Sequence, residues 1–376
     1  MLKVLTIVGT RPEIIRLSCI INKFNNCFDH KLIHTGQNYD YELNKIFFDQ
    51  LDIQKPDFFL DCQGVSPAEN MASIIANTDK IMSQLNPDAV VILGDTNSAL
   101  AAIAAKRRKI PIFHLEAGNR CYDQRVPEEI NRKIVDHISD INLTYSNIAR
   151  DNLLRENLDP FKIIKIGSPL LEVINANKDK IEKSKILSNL SLQENNYFVI
   201  SVHREENIDN PINFKKIINI INSLAKRYQL KIIFSVHPRT KKKIDSDKIK
   251  FNKLVIISKP FGFHDYAKLQ INANVVISDS GSITEESSIL NFPALNLRET
   301  HERQEGMEEG AVIMTNLSLN NVIQGIEILK YQERGENRNI NIVEDYNKNN
   351  ISEKMIRIIL SYTDYINKST WKKNKE

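Results

Sequence analysis

The sequence predicts an α/β protein built from two doubly wound domains. Short apolar runs alternate with longer helical patterns along almost the whole chain, which is typical of parallel strands joined by right-handed helical crossovers. The chain has 376 residues, too many for one average core. The alternation restarts after a charged, polar segment at residues 175–196. We therefore predict domains over residues 1–169 and 170–350, with a cleft between them.

The first half supplies seven predicted strands. They cover residues 3–8, 30–34, 58–60, 88–93, 110–113, 140–145 and 164–166. Pro12 fits the first turn of a helix after the first strand. Further helices are predicted over residues 67–84 and in the alanine-rich stretch up to residue 108.

The stretch at residues 114–133 follows the fifth of these strands. Glu116 stands near the end of that strand, Gly118 turns the chain, and Pro127 opens a helix. Ile130, Ile134 and Ile138 form one stripe of that helix at four-residue spacing. Glu128 lies about 200° round the helix from Ile130, so it faces away from the stripe.

The second half repeats the pattern. Strands are predicted over residues 197–202, 231–236, 254–257, 273–277 and 293–297. Helices are predicted over residues 214–228, after residue 282 and over residues 351–366, and residues 331–350 are expected to be irregular.

Composition excludes several classes of function. Hydrophobic residues make up 41% of the chain and charged residues 26%, as in ordinary soluble proteins. A net charge of +4 with scattered lysines argues against a nucleic-acid partner. The four cysteines form no CxxC pair and are expected to be reduced thiols. No apolar run reaches the ~20 residues that span a bilayer, and the N-terminus leaves no room for a signal peptide. We expect a cytoplasmic protein with no membrane partner.

Three carboxylates stand at the ends of predicted neighbouring elements: Asp95, Glu116 and Glu128. Ligands bind beyond the carboxyl ends of parallel strands, where carboxylates beside arginines favour acid/base chemistry on an anionic ligand. Each has a structural alternative, because aspartate caps turns and acidic residues stabilise helix N-termini.

Other residues suit a diphosphate. Two segments lead into helices: the turn at residues 9–13 and the stretch Ser280-Gly281-Ser282. The N–H groups at a helix N-terminus can bind phosphate. Serine, however, is also a common N-cap without a ligand. Glu286 lies one turn further on. His203 offers a donor at a strand end, and four arginines offer bidentate donors: Arg11, Arg16, Arg204 and Arg303.

Common cofactor and metal motifs are absent from the sequence. There is no GxGxxG nicotinamide motif, no Walker sequence, no GxSxG elbow and no zinc spacing. We therefore expect no cofactor and no bound metal.

In order and spacing, the polar motifs resemble those of the non-hydrolysing UDP-N-acetylglucosamine 2-epimerases over nearly the whole chain. They comprise residues 9–13, 34–37, 94–96, 114–118, 127–129, 131–132, 203–204, 206–207, 280–281, 285–286 and 302–303. The resemblance implies two Rossmann-like domains of the glycosyltransferase-B type, the last helix (within residues 351–376) packing on the first domain, and a homodimer.

The resemblance also implies a reaction. The family eliminates UDP across C1–C2 of the sugar to give a 2-acetamidoglycal, then adds UDP back with the opposite configuration at C2. By position, the catalytic residues are Asp95, Glu116, Glu128 and His203. The UDP-binding positions are Arg11, Ser280, Gly281, Glu286 and Arg303. Arg16, Arg204 and Ser282 lie beside these positions in the sequence. Phe261 and Tyr266 fall in the region of the uracil pocket.

Departures from the family pattern indicate a sister branch. Arg16 replaces a lysine, Ser282 replaces a glycine, and Val126 replaces a tryptophan. The stretch associated with regulation by a second UDP-sugar is absent, with residues 64–70 in its place. These features resemble the enzymes that convert UDP-2-acetamido-2,6-dideoxy-L-talose to UDP-N-acetyl-L-fucosamine for capsule or O-antigen synthesis. We predict that substrate and no activation by UDP-N-acetylglucosamine.

Three alternatives stay open. The same chemistry on UDP-N-acetylglucosamine would give UDP-N-acetylmannosamine. The predicted architecture is shared with retaining glycosyltransferases, which need an acceptor. A non-catalytic sugar-nucleotide sensor is disfavoured, because three carboxylates beside an anionic ligand cost affinity unless they transfer protons.

Overall fold

The computed structural model describes residues 1–36, 45–62, 64 and 66–373. Gln37 and Val65, which belong to two of the stretches named above, lie outside this range. The chain divides into two compact units, Met1–Ala176 with Asp345–Glu376, and Asn177–Glu344.

The first unit is built on a parallel sheet. Among the described residues the sheet has seven strands: β1 (Lys3–Val8), β2 (Asp29–His34), β3 (Phe58–Phe59), β4 (Ala89–Leu93), β5 (Ile112–Leu115), β6 (Ile141–Thr144) and β7 (Ile163–Lys165). Its helices are α1 (Arg11–Cys27), α2 (Lys45–Gln50), α3 (Pro67–Leu85), α4 (Ala101–Arg107), α5 (Glu128–Ile138), α6 (Asn147–Arg155), α7 (Leu170–Ala176) and α17 (Ile351–Ser369), and a 3₁₀ helix spans Asn97–Leu100.

The strand order of the first sheet is β3-β2-β1-β4-β5-β6-β7. β4 is the apolar sequence AVVIL and is buried throughout, as expected for a strand covered on both faces. Helix α3 begins with a capping box in which Ser66 and Glu69 exchange hydrogen bonds of 3.2 Å. Because the order reverses between β1 and β4, their carboxyl ends form a topological switch point, where such sheets bind ligands.

The second unit is described throughout its range, residues 177–344. Its sheet consists of six parallel strands: β8 (Tyr197–Ser201), β9 (Lys231–Ser235), β10 (Val255–Ser258), β11 (Val275–Ser278), β12 (Ala294–Asn296) and β13 (Ile313–Met314). The helices are α8 (Lys178–Glu182), α9 (Ile186–Asn189), α10 (Glu205–Ile208), α11 (Pro211–Tyr228), α12 (Pro238–Ser246), α13 (Phe263–Asn272), α14 (Ser282–Leu290), α15 (Gln304–Glu308) and α16 (Leu319–Leu329).

The strand order here is β10-β9-β8-β11-β12-β13, so the switch point lies between β8 and β11. One face of the sheet carries a core formed with α11 and α16, and the other a core formed with α13 and α14. The prediction of two doubly wound α/β domains is therefore confirmed.

Several predicted details differ from the structure. β5 covers Ile112–Leu115 rather than residues 110–113, so that Glu116 follows the strand directly. The short strand β13 was not predicted, because two residues carry no periodicity. The first unit extends to Ala176 rather than residue 169, since α7 packs against α1.

Two residues of the isoleucine stripe of α5 face solvent, and the third, Ile138, packs against the core. Ile130 and Ile134 are 54% and 38% exposed, whereas the opposite face buries Glu129, Arg132 and Asp136. The polar face is the buried one because its side chains are paired with one another and with the turns after β4 and β5.

Candidate active site

The turn after β4 carries Asp95, which is paired with a helix. Arg132 of α5 donates from Nε and Nη2 to Oδ2 of Asp95, at 2.9 and 2.5 Å. Its Nη1 donates to Glu129 at 2.8 Å, and Asn131 donates to the backbone carbonyl of Asp95 at 3.0 Å. Arg132 is buried, so it holds the Asp95 carboxylate with a charge-assisted contact of low mobility.

Glu116 occupies an unusual backbone conformation at the end of β5. Its φ is +63°, in the left-handed region that few residues other than glycine adopt. Asn119 donates to its Oε1 at 3.4 Å, and the buried Arg16 places Nε 3.7 Å from its Oε2. Strain of this kind persists where the surrounding structure enforces it, and it clusters at functional sites.

Glu128 and Arg11 stand at helix N-termini in the same unit. Glu128 is the first residue of α5, one turn before the Arg132 that pairs with Asp95, and is half-buried. Arg11 is the first residue of α1, and its guanidinium lies 6.0 Å from the centre of the Phe47 ring. Both side chains thus stand at the end of the unit where β1, β4 and β5 finish.

A further carboxylate, Glu13, lies beneath this end of the sheet. It is buried and accepts from the backbone N–H of Gly9 at 2.5 Å and from the hydroxyls of Thr96 and Ser98. Burial raises the pKa of Glu13, and these hydrogen bonds oppose that rise. Glu13 therefore ties the turn after β1 to the turn after β4.

In the second unit, the loop after β8 is anchored by Asp279, which follows β11. Its buried carboxylate accepts from the backbone N–H groups of His203 and Arg204 at 3.1 and 3.0 Å, and from Asn207 at 3.0 Å. Nδ1 of His203 lies 3.4 Å from Oδ1 of Asp279. The imidazole is thereby oriented while 38% of its side chain is exposed.

Ser280, Gly281 and Ser282 form the start of α14. The hydroxyls of Ser280 and Ser282 are 3.0 Å apart. A Cβ on Gly281 would lie 3.3 Å from Oε2 of Glu302 and 3.9 Å from Nη2 of Arg204. The Gly281 backbone therefore passes beside a guanidinium at a helix N-terminus, an arrangement that suits a phosphate.

Paired arginines continue this region. Arg298 makes a bidentate contact with Glu302 at 2.6 and 2.8 Å. Nη2 of Arg204 lies 3.6 Å from Glu302, and Nη2 of the buried Arg303 lies 3.3 Å from Glu285. The acids hold the guanidinium groups in place near the ends of β8, β11 and β12.

Two predicted uracil-pocket residues and Glu286 lie on the α13–α14 side of the unit. Phe261 and Tyr266 are partly buried and pack on the core of this face. Glu286 accepts from Gln270 of α13 at 2.6 Å. The contacts described above do not connect Phe261, Tyr266 or Glu286 to Arg204 and Glu302.

The structure thus brings the predicted residues together in two groups, one at each switch point. The first contains Arg11, Arg16, Asp95, Glu116 and Glu128, and the second contains His203, Arg204, Ser280, Gly281, Ser282 and Arg303. Four residues that make these contacts were not predicted from the sequence: Glu13, Arg132, Asp279 and Arg298. Glu13 and Arg132 lie within the sequence motifs at residues 9–13 and 131–132, so these motifs could have identified them. The partners of Asp279 and Arg298, in contrast, depend on the fold.

Every helix of the described ranges is too short or too polar to span a bilayer. No group of three or more histidine, cysteine or acidic side chains suited to a metal ion occurs within the described part of the chain.

The sequence profile of the UDP-N-acetylglucosamine 2-epimerase family matches residues 22–360. The chain belongs to this family. It is 36% identical to the UDP-N-acetylglucosamine 2-epimerase of Methanocaldococcus jannaschii, over 97% of this chain and 100% of that one. It is 30% identical to the UDP-2,3-diacetamido-2,3-dideoxy-D-glucuronate 2-epimerase of Pseudomonas aeruginosa, over 86% and 91% of the two chains.

Solved structures agree with this membership. The UDP-N-acetylglucosamine 2-epimerase from Rickettsia bellii is 48% identical, with a TM-score of 0.92 over 99% of this chain and 100% of that chain. The M. jannaschii enzyme, solved in complex with UDP-GlcNAc and UDP, is 35% identical with a TM-score of 0.89, over 96% and 100%. A likeness to MurG of Acinetobacter baumannii, 13% identical with a TM-score of 0.54 over 96% and 100%, concerns the fold alone.

Two predictions are confirmed by these similarities. This family member has the Rossmann-like fold of the glycosyltransferase-B type. It is an isomerase of the non-hydrolysing UDP-sugar 2-epimerase class.

Proposed function

We propose that this family member inverts C2 of UDP-2-acetamido-2,6-dideoxy-L-talose to give UDP-N-acetyl-L-fucosamine for capsule or O-antigen synthesis. UDP leaves across C1–C2, a 2-acetamidoglycal forms, and UDP returns with the opposite configuration at C2. The observation that carries the reaction type is the pair of carboxylates on the adjacent β4 and β5 turns, Asp95 held by Arg132 and Glu116 held beside Arg16.

The chemistry needs two kinds of group. The proton on C2 is not flanked by a carbonyl, so its removal must be coupled to departure of a stabilised leaving group. Carboxylates take and return the proton on the two faces of C2, a role we assign to Asp95, Glu116 and Glu128. Arginine and backbone donors stabilise the developing charge on UDP, and His203 stands among them.

The second unit is the proposed binding site for UDP. Arg204, Ser280, Gly281 and Ser282 would contact the diphosphate, an assignment supported by the helix N-terminus and the guanidinium beside Gly281. We assign Glu286 and Arg303 to UDP by family position, Phe261 and Tyr266 to the region of the uracil, and Arg11 and Arg16 of the first unit to the phosphates.

The substrate proposal depends on the departures from the family pattern. Arg16, Val126 and Ser282 stand where lysine, tryptophan and glycine are usual, which resembles the branch acting on the 6-deoxy sugar. The alternative is UDP-N-acetylglucosamine, giving UDP-N-acetylmannosamine, and the names of several similar proteins favour it.

One experiment tests reaction and substrate together. The protein is incubated in D2O with each nucleotide sugar in turn, and C2 is followed by NMR. We expect inversion with deuterium incorporated at C2 of the 6-deoxy sugar. Turnover of UDP-N-acetylglucosamine alone would overturn the substrate assignment. Inversion without deuterium at C2 would overturn the elimination mechanism. In a parallel incubation with an added acceptor, transfer of the sugar would indicate a glycosyltransferase, and binding without reaction would indicate a sensor.

We also propose a homodimer, and the exposed Ile130 and Ile134 of α5 support an interface on that face. The four free cysteines support a reducing, cytoplasmic location. Because residues 64–70 lack the regulatory stretch, we expect rates to rise hyperbolically with substrate and to be unaffected by added UDP-N-acetylglucosamine at concentrations too low to compete.

A further inference from the structure

His114 of β5 lies at the centre of a buried polar network in the first unit. Its Nε2 is 2.8 Å from the carbonyl oxygen of Gly94, and its Nδ1 is 3.0 Å from Oδ1 of Asp136. Both His114 and Asp136 are inaccessible to solvent. His114 is not among the residues assigned to the reaction above.

The partners of His114 determine its protonation. A carbonyl oxygen can only accept a hydrogen bond, so Nε2 must carry a proton. Asp136 accepts from Nη1 of Arg120 at 2.7 Å and from the backbone N–H of Gly118 at 3.2 Å, which holds it as a carboxylate. Nδ1 therefore also carries a proton, and His114 is an imidazolium.

The pKa directions agree with this geometry. Burial lowers the pKa of His114, but Asp136, the Gly94 carbonyl and Asp95 together outweigh burial and raise it. Burial would raise the pKa of Asp136, but His114 and Arg120 together lower it. The buried charges are thus paired, as the low dielectric of the interior requires.

The network connects the two turns that carry the proposed catalytic carboxylates. Through Gly94, His114 contacts the residue before Asp95. Through Asp136, it is joined to the N–H of Gly118, two residues after Glu116. In the chain, Glu116 lies between His114 and Gly118, which both belong to this network. The strained backbone of Glu116, with its φ of +63°, is therefore held from both sides.

We propose that His114 is a positioning residue that stays positively charged and sets the spacing between the Asp95 and Glu116 turns. The inference rests on the proposed roles of those two carboxylates. What is new is the role of the chain of contacts that runs from Gly94 through His114 and Asp136 to Gly118. His114 contacts the backbone of the Gly94 turn directly and that of Gly118 through Asp136, and its side chain is inaccessible to solvent.

Charged groups lie near His114 on α5, on the turn after β4 and on the loop after β5. Asp136 lies on α5 and Asp95 on the turn after β4. Arg120 lies on the loop after β5 and is itself paired with Glu156, beyond α6, at 2.6 Å. Arg132 in turn pairs with Asp95. Asp136 is the charged group in contact with the ring, and it favours the imidazolium over the neutral ring.

The first test measures the charge of His114 in the intact protein by ¹⁵N NMR between about pH 6 and pH 9. We expect both ring nitrogens to be protonated throughout. His30 is the matched control, because it is also buried in this sheet but pairs with the neutral side chains of Asn25 and Thr6. A neutral His114 in this range would overturn the proposal.

The second test uses His114→Gln and Asp136→Asn, with His30→Gln as the control variant. We expect kcat to fall roughly tenfold or more in both test variants while KM changes less than about threefold. In Asp136→Asn, no carboxylate offsets the burial of His114, so ¹⁵N NMR should find His114 neutral at pH 7. His30→Gln should keep the parental kcat.

The outcomes separate this proposal from the proposed function. Folded test variants with parental kcat would overturn the positioning role, even if Glu116→Gln is inactive. Parental activity in Glu116→Gln and Asp95→Asn would instead overturn the catalytic assignment. If a test variant does not fold, the NMR measurement on the unsubstituted protein still decides the charge.

Discussion

Arg132 donates both Nε and Nη2 to one carboxylate oxygen of Asp95, at 2.9 and 2.5 Å. The guanidinium also holds Glu129 at 2.8 Å and is buried. Arg132 therefore fixes the direction in which Asp95 points, and α5 is joined to the turn after β4 by a charged contact rather than by its isoleucine stripe.

The first prediction concerns this contact. Arg132→Met should lower kcat by roughly 10- to 100-fold, because Asp95 loses the donor that orients it, while UDP binding by calorimetry is retained. Arg132→Lys should be intermediate, since lysine lacks the fork of donors. Arg357→Ala is the matched control: this arginine is 73% exposed and pairs within its own helix. Parental kcat in Arg132→Met would contradict the role.

The second prediction concerns the three carboxylates. Asp95→Asn, Glu116→Gln and Glu128→Gln should each lower turnover by roughly 10²-fold or more, because each removes a group that accepts or donates a proton. Titration calorimetry should still detect UDP. Asp245→Asn serves as the control, since Asp245 is exposed and pairs with Lys241 on α12. Parental rates in all three site variants would refute the assignment.

The third prediction concerns the loop after β8. Asp279→Asn replaces an acceptor of two backbone N–H groups, so the free energy of unfolding should fall by about 1–3 kcal/mol. Because the loop carries His203 and Arg204, the affinity for UDP should fall as well. Urea unfolding and calorimetry measure the two effects. A loss of stability with parental UDP affinity would show that the loop does not contact the nucleotide.

The fourth prediction is a pH effect on stability from His30. Burial lowers the pKa of His30 from 6.5 to about 4, so between these values the unfolded chain binds the proton more readily than the folded one. The free energy of unfolding should therefore fall as pH is lowered through this window. The full effect of the shift is about 3 kcal/mol.

His30→Gln tests this effect because glutamine is neutral at every pH. Between about pH 7.5 and pH 5, the free energy of unfolding of the parent should fall by about 2 kcal/mol more than that of the variant. The reason is that each pH unit below 6.5 lowers the stability of the parent by about 1.36 kcal/mol. Urea unfolding at the two pH values measures the difference. Equal losses would mean that His30 is not held neutral in the folded protein.

The fifth prediction concerns assembly. If the exposed face of α5 is the homodimer interface, Ile130→Glu with Ile134→Glu should give a monomer, because two buried charges would face each other without partners. Light scattering measures the mass. Ile212→Glu is the control, since Ile212 is 68% exposed on the second unit. A double variant that remains dimeric would place the interface elsewhere.

Local sequence patterns were sufficient for the fold class and most elements. The strand Lys3–Val8 was predicted with its observed bounds, because a buried parallel strand is a continuous apolar run. The grouping of polar residues at strand ends followed from the same alternation, since parallel strands place their carboxyl ends at one edge. The family followed from the order and spacing of those motifs.

Other features depended on contacts between residues far apart in the chain. Nothing in the local pattern of α5 shows that Ile130 faces solvent while Asp136 is buried, because a helix buries whichever face finds partners. Those partners, His114 and Arg120, come from a different strand and loop. Likewise, the contact of Asp279 with the His203 loop exists only because β8 and β11 are adjacent.

The sequence by itself therefore determined the two α/β domains, the family and the strand ends that carry the candidate site residues, since hydrophobic periodicity and motif spacing are local properties. Only the tertiary structure decided which acids are held by arginines, which histidine is charged, and which face of α5 is exposed. These depend on the pairing of buried polar groups, whose energy is set by neighbours that strand order brings together.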